Sequence, residues 1–431
     1  GEQKFITASP VGEGTPPEGY SFSDAGKQIQ DLIFDAFPGV TWVLGGWQDN
    51  PRPELLEKAD KDRTLILDLW GETRPQWKRA DRFDLYRQTP WIWNIINNFG
   101  GNNGLFGNLE LIFTDPIKAR ASEQGAKLCG LGTMMEGIEN NPVVYHAVYE
   151  SAWLDATPDI DEWLKGYAKS RYGASSIYAE RAWSILNKTV YHATLYQEGP
   201  SENLMCARPG LDLKSVSTWG TSKLYYSPDS LLLAWDAMIK AAEELGNNDA
   251  FQYDLVDLTR QVISNYAYSQ YPEIVDAYKK NDMQRFRSLS TSFLGLFDDL
   301  NNILKTKKEF LVGPWISDAR SWGRNPEEEA EYERQAKTII TTWGDRRLSE
   351  EGNLHDYSFR EWEGIMLDLY KNRWETYFEL LSNSTNNGEE PCIDWYSFDY
   401  SWITNNKEYE TEPVGNPVEA CTAVYNKYRD L

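Results

Sequence analysis

The sequence predicts an α/β segment followed by an all-α domain. Residues 1–153 read as a portion of a (β/α)8 TIM-type barrel, and residues 154–431 as an α-helical C-terminal domain. Three observations predict this. From Lys4 to Trp153 short apolar runs alternate with amphipathic stretches, as β-α units around a parallel sheet require. Beyond Trp153 the strand signal fades and apolar residues recur at helical spacing. Helix start signals then recur through the second half of the chain.

The expected strands are Phe5–Ala8, Thr41–Leu44, Thr64–Leu69, Trp91–Ile96 and Leu128–Thr133. Between the first two, Phe22–Phe37 is a helix opened by Ser21 or Ser23 and closed before Pro38-Gly39. In the second half, Phe286, Leu289, Phe293, Leu296, Phe297, Leu300, Ile303 and Leu304 form one apolar helical stripe. Ser227-Pro228-Asp229 and Asn325-Pro326-Glu327 place a cap, then proline, then acid at helix starts, and Ser358-Phe359-Arg360-Glu361 fits a capping box. Five to seven helices are expected after Trp153, with surface loops at 198–221 and 383–390. A full barrel needs about eight strands. With five found, either further strands lie upstream of Gly1 or the sheet is an open one.

A chain of 431 residues, 41% hydrophobic and 14% aromatic, can bury a sizeable core. Its net charge of −23, from 43 Lys+Arg against 66 Asp+Glu, repels phosphate backbones and anionic membrane surfaces, so nucleic acid and membrane are not expected partners. No apolar run approaches the ~20 residues that span a bilayer. The four cysteines share no metal-ligand spacing and only three histidines are available, so no metal is expected. Neither a Gly-x-Ser-x-Gly elbow nor a phosphate-cradling loop occurs, which argues against serine hydrolase and nucleotide chemistry. The 18 Trp and 25 Tyr supply flat amphipathic rings that suit sugar faces as well as cores.

Enzymes on barrels place their chemistry at the carboxyl ends of strands, and two glutamates fall there. Glu13 follows the first strand and Glu136 the fifth. One protonated carboxyl to donate to a leaving oxygen, and one ionised carboxylate at the anomeric carbon, is what glycoside cleavage requires. Spacing alone also allows two solvated or salt-bridged glutamates. After the fourth strand comes Asn97-Asn98-Phe99-Gly100-Gly101-Asn102-Asn103-Gly104-Leu105-Phe106-Gly107, whose amides match sugar hydroxyls and whose glycines permit close approach. A tight self-capped turn is the alternative. Trp47, in Gly45-Gly46-Trp47, could wall a sugar site or pack in the core, and Asp68 reads as a structural hydrogen-bond acceptor.

Together these segments resemble the α-N-acetylglucosaminidases of glycoside hydrolase family 89. The specific stretches are Asn98 to Gly107, Glu136-Gly137-Ile138-Glu139-Asn140-Asn141-Pro142-Val143-Val144-Tyr145, and Tyr253-Asp254-Leu255-Val256-Asp257-Leu258-Thr259-Arg260-Gln261. Weaker echoes are Arg171-Tyr172-Gly173 and Gly313-Pro314-Trp315. The resemblance implies a retaining exo-hydrolase of terminal α-linked N-acetylglucosamine that needs no cofactor. Glu136 would be the nucleophile, and Glu13 the acid/base at the end of Ser9-Pro10-Val11-Gly12-Glu13, where the family reads Asp-x-Phe-Asn/His-Glu. Trp47, Asn97, Asn98 and Trp315 are the expected substrate-binding residues.

The resemblance also implies that this chain is the C-terminal part of the barrel, beginning near the fourth strand. The N-terminal half-barrel would be a partner segment or fragment. Family function suggests a secreted or periplasmic protein in a bacterium, or a lysosomal one in an animal. Asn187-Lys188-Thr189 and Asn383-Ser384-Thr385 fit the N-glycosylation pattern. A catalytically inactive carbohydrate-binding relative, or a hydrolase of another sugar, are the competing expectations.

Overall fold

Five parallel strands pair in chain order, β1 (Phe5–Thr7), β2 (Thr41–Gly46), β3 (Thr64–Asp68), β4 (Trp91–Ile95) and β5 (Leu128–Thr133), in a computed structural model that describes residues 4–194, 197–384 and 390–429. All five expected strands are present, with ends moved by at most two residues. Every neighbour pairing is parallel, in keeping with the crossover logic read from the sequence. The inner strands carry the buried weight: Trp42, Ile66, Trp91 and Trp93 have no exposed surface. By contrast β1 and β5 are half exposed, and each pairs on one side only among the described residues.

Helices α1 (Phe22–Ala36), α2 (Phe83–Gln88), α3 (Leu109–Ala121) and α4 (Pro142–Ser151) alternate with these strands. Ser21 caps α1, its hydroxyl accepting from the Asp24 N–H, and the helix ends one residue before the expected Phe37.

The rest is helical: α5 (Ile160–Tyr172), α6 (Ile177–Asn187), α7 (Pro228–Leu245), α8 (Asp249–Lys279), α9 (Met283–Leu304), α10 (Val312–Arg320), α11 (Pro326–Ile339), α12 (Asn372–Asn383), α13 (Trp395–Ile403) and α14 (Pro417–Tyr428). That makes ten α-helices among the described residues rather than five to seven. Ser227 and Asn325 cap α7 and α11 as expected. Ser358 does not open a helix. Its supposed capping partner Glu361 is instead buried and bound to Arg260 and Asn203, because the large desolvation cost of that carboxylate demands a charged partner.

The stretch 198–221 is a surface loop only in its second half, where Asp212, Lys214, Thr218 and Trp219 are exposed. Residues 200–209 are buried, since their backbone carbonyls find donors: Arg373 donates to the Cys206 oxygen and the Trp374 indole to that of Met205. The expected loop at 383–390 falls mostly outside the described residues, as does Thr385 of the second glycosylation pattern. No disulfide joins the described cysteines, and no described helix is long and apolar enough to cross a membrane.

Helix α8 is the axis of the helical domain and its bond to the α/β segment. Its Asp254 accepts from Arg171 (2.7 and 2.9 Å) and from the Tyr172 hydroxyl, joining α5 to α8. One turn further on, Arg260 donates to Asn103 O (2.8 Å), and Gln261 Oε1 accepts from Leu105 N (3.0 Å). The loop after β4 is therefore set by a helix more than 150 residues away in sequence.

Candidate active site

Where β1, β2, β3, β4 and β5 end, the chain leaves a cleft of about 1930 Å³, roughly twice the upper end of ordinary ligand pockets. Glu13 and Glu136 both line it and both are exposed to it. Opposite them stand Trp315, Trp343, Tyr357 and Trp219 of the helical domain.

Glu136 is the better held of the two. Its Oε2 accepts from the Gly100 backbone N–H (2.6 Å) and from the Tyr357 hydroxyl (2.9 Å), while Oε1 has no protein partner among the described residues. Two donors on one oxygen fix the carboxylate's direction. The local sequence makes this possible through glycine. Gly100 and Gly101 have φ of +62° and +79°, and a Cβ on Gly100 would lie 2.2 Å from the Tyr357 carbonyl oxygen. A Cβ on Gly137 would meet the Gly101 Cα at 2.6 Å, so the two turns pack backbone on backbone.

Glu13 sits on the irregular stretch after β1, where its carboxylate accepts from the Trp47 indole N–H. Trp47 rests against Trp70 (4.0 Å between centroids) and Phe99 (5.9 Å), giving the cleft an aromatic floor. Trp315 lies on the opposite wall, 37% exposed, its indole N–H donating to Ala336 O (2.9 Å).

Asn97 and Asn98, expected to meet a sugar, lie beneath the cleft. Asn97 (φ +64°) gives its amide to Phe106 O and accepts from Asn141, and Asn98 donates to Gly137 O, Asn140 and Tyr145. Both are at most 1% exposed. Asparagine amides serve a protein backbone as readily as a sugar, and here backbone approach wins.

Several residues escaped the sequence reading. Glu72, four residues past β3, buries a carboxylate whose Oε1 accepts from the Ile96 and Asn97 N–H groups, and burial pushes it up to about 7. Its place after a strand was the available signal. Arg360 lies under Gly101, its guanidinium pushed down to about 10 by burial, with the Glu136 charge acting on it. Tyr357, Trp219 and Trp343 fall in irregular segments of the helical domain, where no periodicity marks them. Asp68 is the structural acceptor expected, taking the Gln76 and Trp77 N–H groups. Among the described residues no cluster of side chains could hold a metal ion.

The arrangement offers an anchored carboxylate, a second carboxylate on the same cleft, and aromatic walls. The Tyr357 phenol is raised by burial first, then by Glu136, and Glu13 also acts on it, so both carboxylates reach one hydroxyl electrostatically.

Comparison with known proteins gives this site its context. Residues 1–155 match the model of the alpha-N-acetylglucosaminidase (NAGLU) tim-barrel domain, and residues 163–427 that of the alpha-N-acetylglucosaminidase (NAGLU) C-terminal domain. The human alpha-N-acetylglucosaminidase is 29% identical over 417 residues, covering 92% of this chain and 54% of the human protein. A family 89 glycoside hydrolase from Clostridium perfringens, solved with PUGNAc, superposes with a TM-score of 0.92 at 32% identity, over 98% of this chain and 48% of that one. The same bacterial enzyme with two glutamates changed to glutamine, bound to its substrate GlcNAc-alpha-1,4-galactose, gives identical figures. The chain thus spans about half the length of the relatives it matches. With both models matched in order, and the helical one alone covering more than half its residues, the chain belongs to the alpha-N-acetylglucosaminidase family, glycoside hydrolase family 89.

Proposed function

We propose that this chain carries the catalytic carboxylates of an exo-acting α-N-acetylglucosaminidase that removes terminal α-linked N-acetylglucosamine from glycans. The observation that carries the reading is the pairing of Glu136, gripped by Gly100 N–H and Tyr357, with Glu13 on the same cleft. A directed carboxylate suits attack on the anomeric carbon. Glu13 donates the proton to the leaving oxygen and then takes one from water, so the reaction is retaining. Relatives that act on or bind N-acetylglucosamine compounds support the choice of sugar.

In this reading the remaining barrel strands belong to a polypeptide segment outside residues 1–431. The open edges of β1 and β5, the exposed Phe5, Met134 and Ile138, and the shorter span relative to the family all support it. In this reading that segment also covers Glu13. Residues 1–153 then act as the C-terminal half of the catalytic barrel and residues 154–431 as the wall. We further propose export, to a bacterial periplasm or exterior or to an animal lysosome.

The test is hydrolysis of an aryl α-N-acetylglucosaminide by the full gene product. Wild-type turnover, lost by at least about 10³-fold in Glu136→Gln, supports the proposal. A folded wild type that binds N-acetylglucosamine and releases no aryl alcohol overturns it in favour of an inactive carbohydrate-binding relative. Proton NMR of the first anomer released decides the stereochemistry, and a β-anomer excludes retention.

A further inference from the structure

Outside the cleft the densest group of charges in the helical domain is a buried network around Asp356. Arg373 of α12 grips the Asp356 carboxylate with both terminal nitrogens (3.1 and 3.2 Å) and gives its Nε to Asp399 of α13 (2.8 Å). Arg208 donates to Asp399 (3.0 Å) and Glu350 (2.9 Å), and its Nε lies 3.9 Å from Asp356. Asp356, Arg373 and Asp399 have no exposed surface. Relative to apolar packing of the same volume, such buried pairs add little net stability, so their use lies in geometry.

What the network fixes is a backbone conformation. Asp356 has φ of +55°, strained for a residue with a Cβ, and its N–H is tied to Thr341 O (2.6 Å). The next residue is Tyr357, whose hydroxyl reaches Glu136 and whose ring stands edge-on to Trp343 (4.9 Å) and Trp219 (5.9 Å). The residue after that, Ser358, donates to Gly100 O (2.5 Å), and Gly100 N–H is the other donor on Glu136. Both donors on Glu136 therefore hang from one short segment, and that segment is pinned at Asp356.

We propose that Asp356, clamped by Arg373 and Arg208, is a positioning residue that sets the Tyr357 hydroxyl and the Gly100 N–H on Glu136. The proposal rests on the catalytic reading of Glu136 for its effect on turnover, but its geometric content stands apart from it. Glu13 also acts on that hydroxyl, and the Glu136 charge is felt by Arg360, on which Tyr370 and Glu139 act as well.

The test compares Asp356→Asn with Asp399→Asn, which removes a charge from the same network away from Tyr357. Crystal structures of the full gene product should show the Tyr357 Oη to Glu136 Oε2 distance lengthened beyond hydrogen-bond range in Asp356→Asn and kept in Asp399→Asn. Tyr357 still bonded to Glu136 in Asp356→Asn overturns the proposal whether or not the protein is an enzyme. In kinetics with the aryl glycoside, Asp356→Asn should lower kcat/KM about 10- to 100-fold, with kcat rather than KM carrying the loss. Tyr357→Phe should also lower it, and the double variant should be no worse than Asp356→Asn alone. Multiplying effects, or a loss carried by KM alone, count against the clamp. Absence of turnover in the wild type would sink the catalytic reading alone. Should Asp356→Asn fail to fold, Arg373→Lys, which keeps the charge and loses the two-pronged grip, takes its place in both measurements.

Discussion

Gly100 shows how much of this site is decided by single atoms. Its φ of +62° and the Tyr357 carbonyl beside it leave no room for a methyl group. Gly100→Ala should therefore destabilise the protein by about 2 kcal/mol or more in urea unfolding, and should dislodge a donor from Glu136. Glu202 makes a second prediction, through pH. Its carboxylate accepts from the Val216 and Ser217 N–H groups and the Ser217 hydroxyl, yet burial pushes it up to about 7 from an ordinary 4.5. Between pH 4.5 and 7 the folded protein then holds a proton that the unfolded chain releases, so this group's stabilisation is complete below the lower value and is lost as pH rises through the upper one. Melting temperatures measured across that window should fall less steeply in Glu202→Gln than in wild type. At this scale the sequence marked Glu136, Glu13, Trp47 and Trp315 through their places after strands or in motifs, and all four line the cleft. Asn97 and Asn98 misled because an amide's partners are set by what surrounds it, which a linear pattern does not contain.

The strands were the most legible elements, since runs such as Trp91–Ile95 are buried on both faces and read as apolar stretches broken only by Asn94. Helix α9 was equally clear from its one-sided stripe. What stayed hidden was the irregular chain between helices. Residues 200–209 look polar and loop-like, yet they are buried because Arg373 and Trp374 satisfy their carbonyls from far along the sequence. Likewise the Tyr253–Gln261 stretch carries part of the family resemblance, and its Asp254, Arg260 and Gln261 are spent on holding α5 and the loop after β4. Arg260→Met should accordingly cost about 3–5 kcal/mol in denaturant unfolding, because it strands Glu361 and Asp257 as buried charges.

For the molecule as a whole, the described residues form one sheet of five strands, the number counted in the sequence. Phe5, Leu32, Met134, Ile138 and Tyr149 leave apolar surface on the α/β half. A protein consisting of residues 1–431 alone should self-associate in sedimentation velocity and bind a hydrophobic dye, and joining it to its proposed barrel segment should suppress both. The order of the strands has a temporal consequence as well. Because each strand pairs with the next in sequence, the sheet can grow stepwise from the ribosome as the chain emerges. The loop that anchors Glu136 cannot settle then, for it waits on Arg260, Gln261 and Ser358, the last of them synthesised 258 residues after Gly100. The grip on Glu136 is thereby assembled only once most of the helical domain has been made.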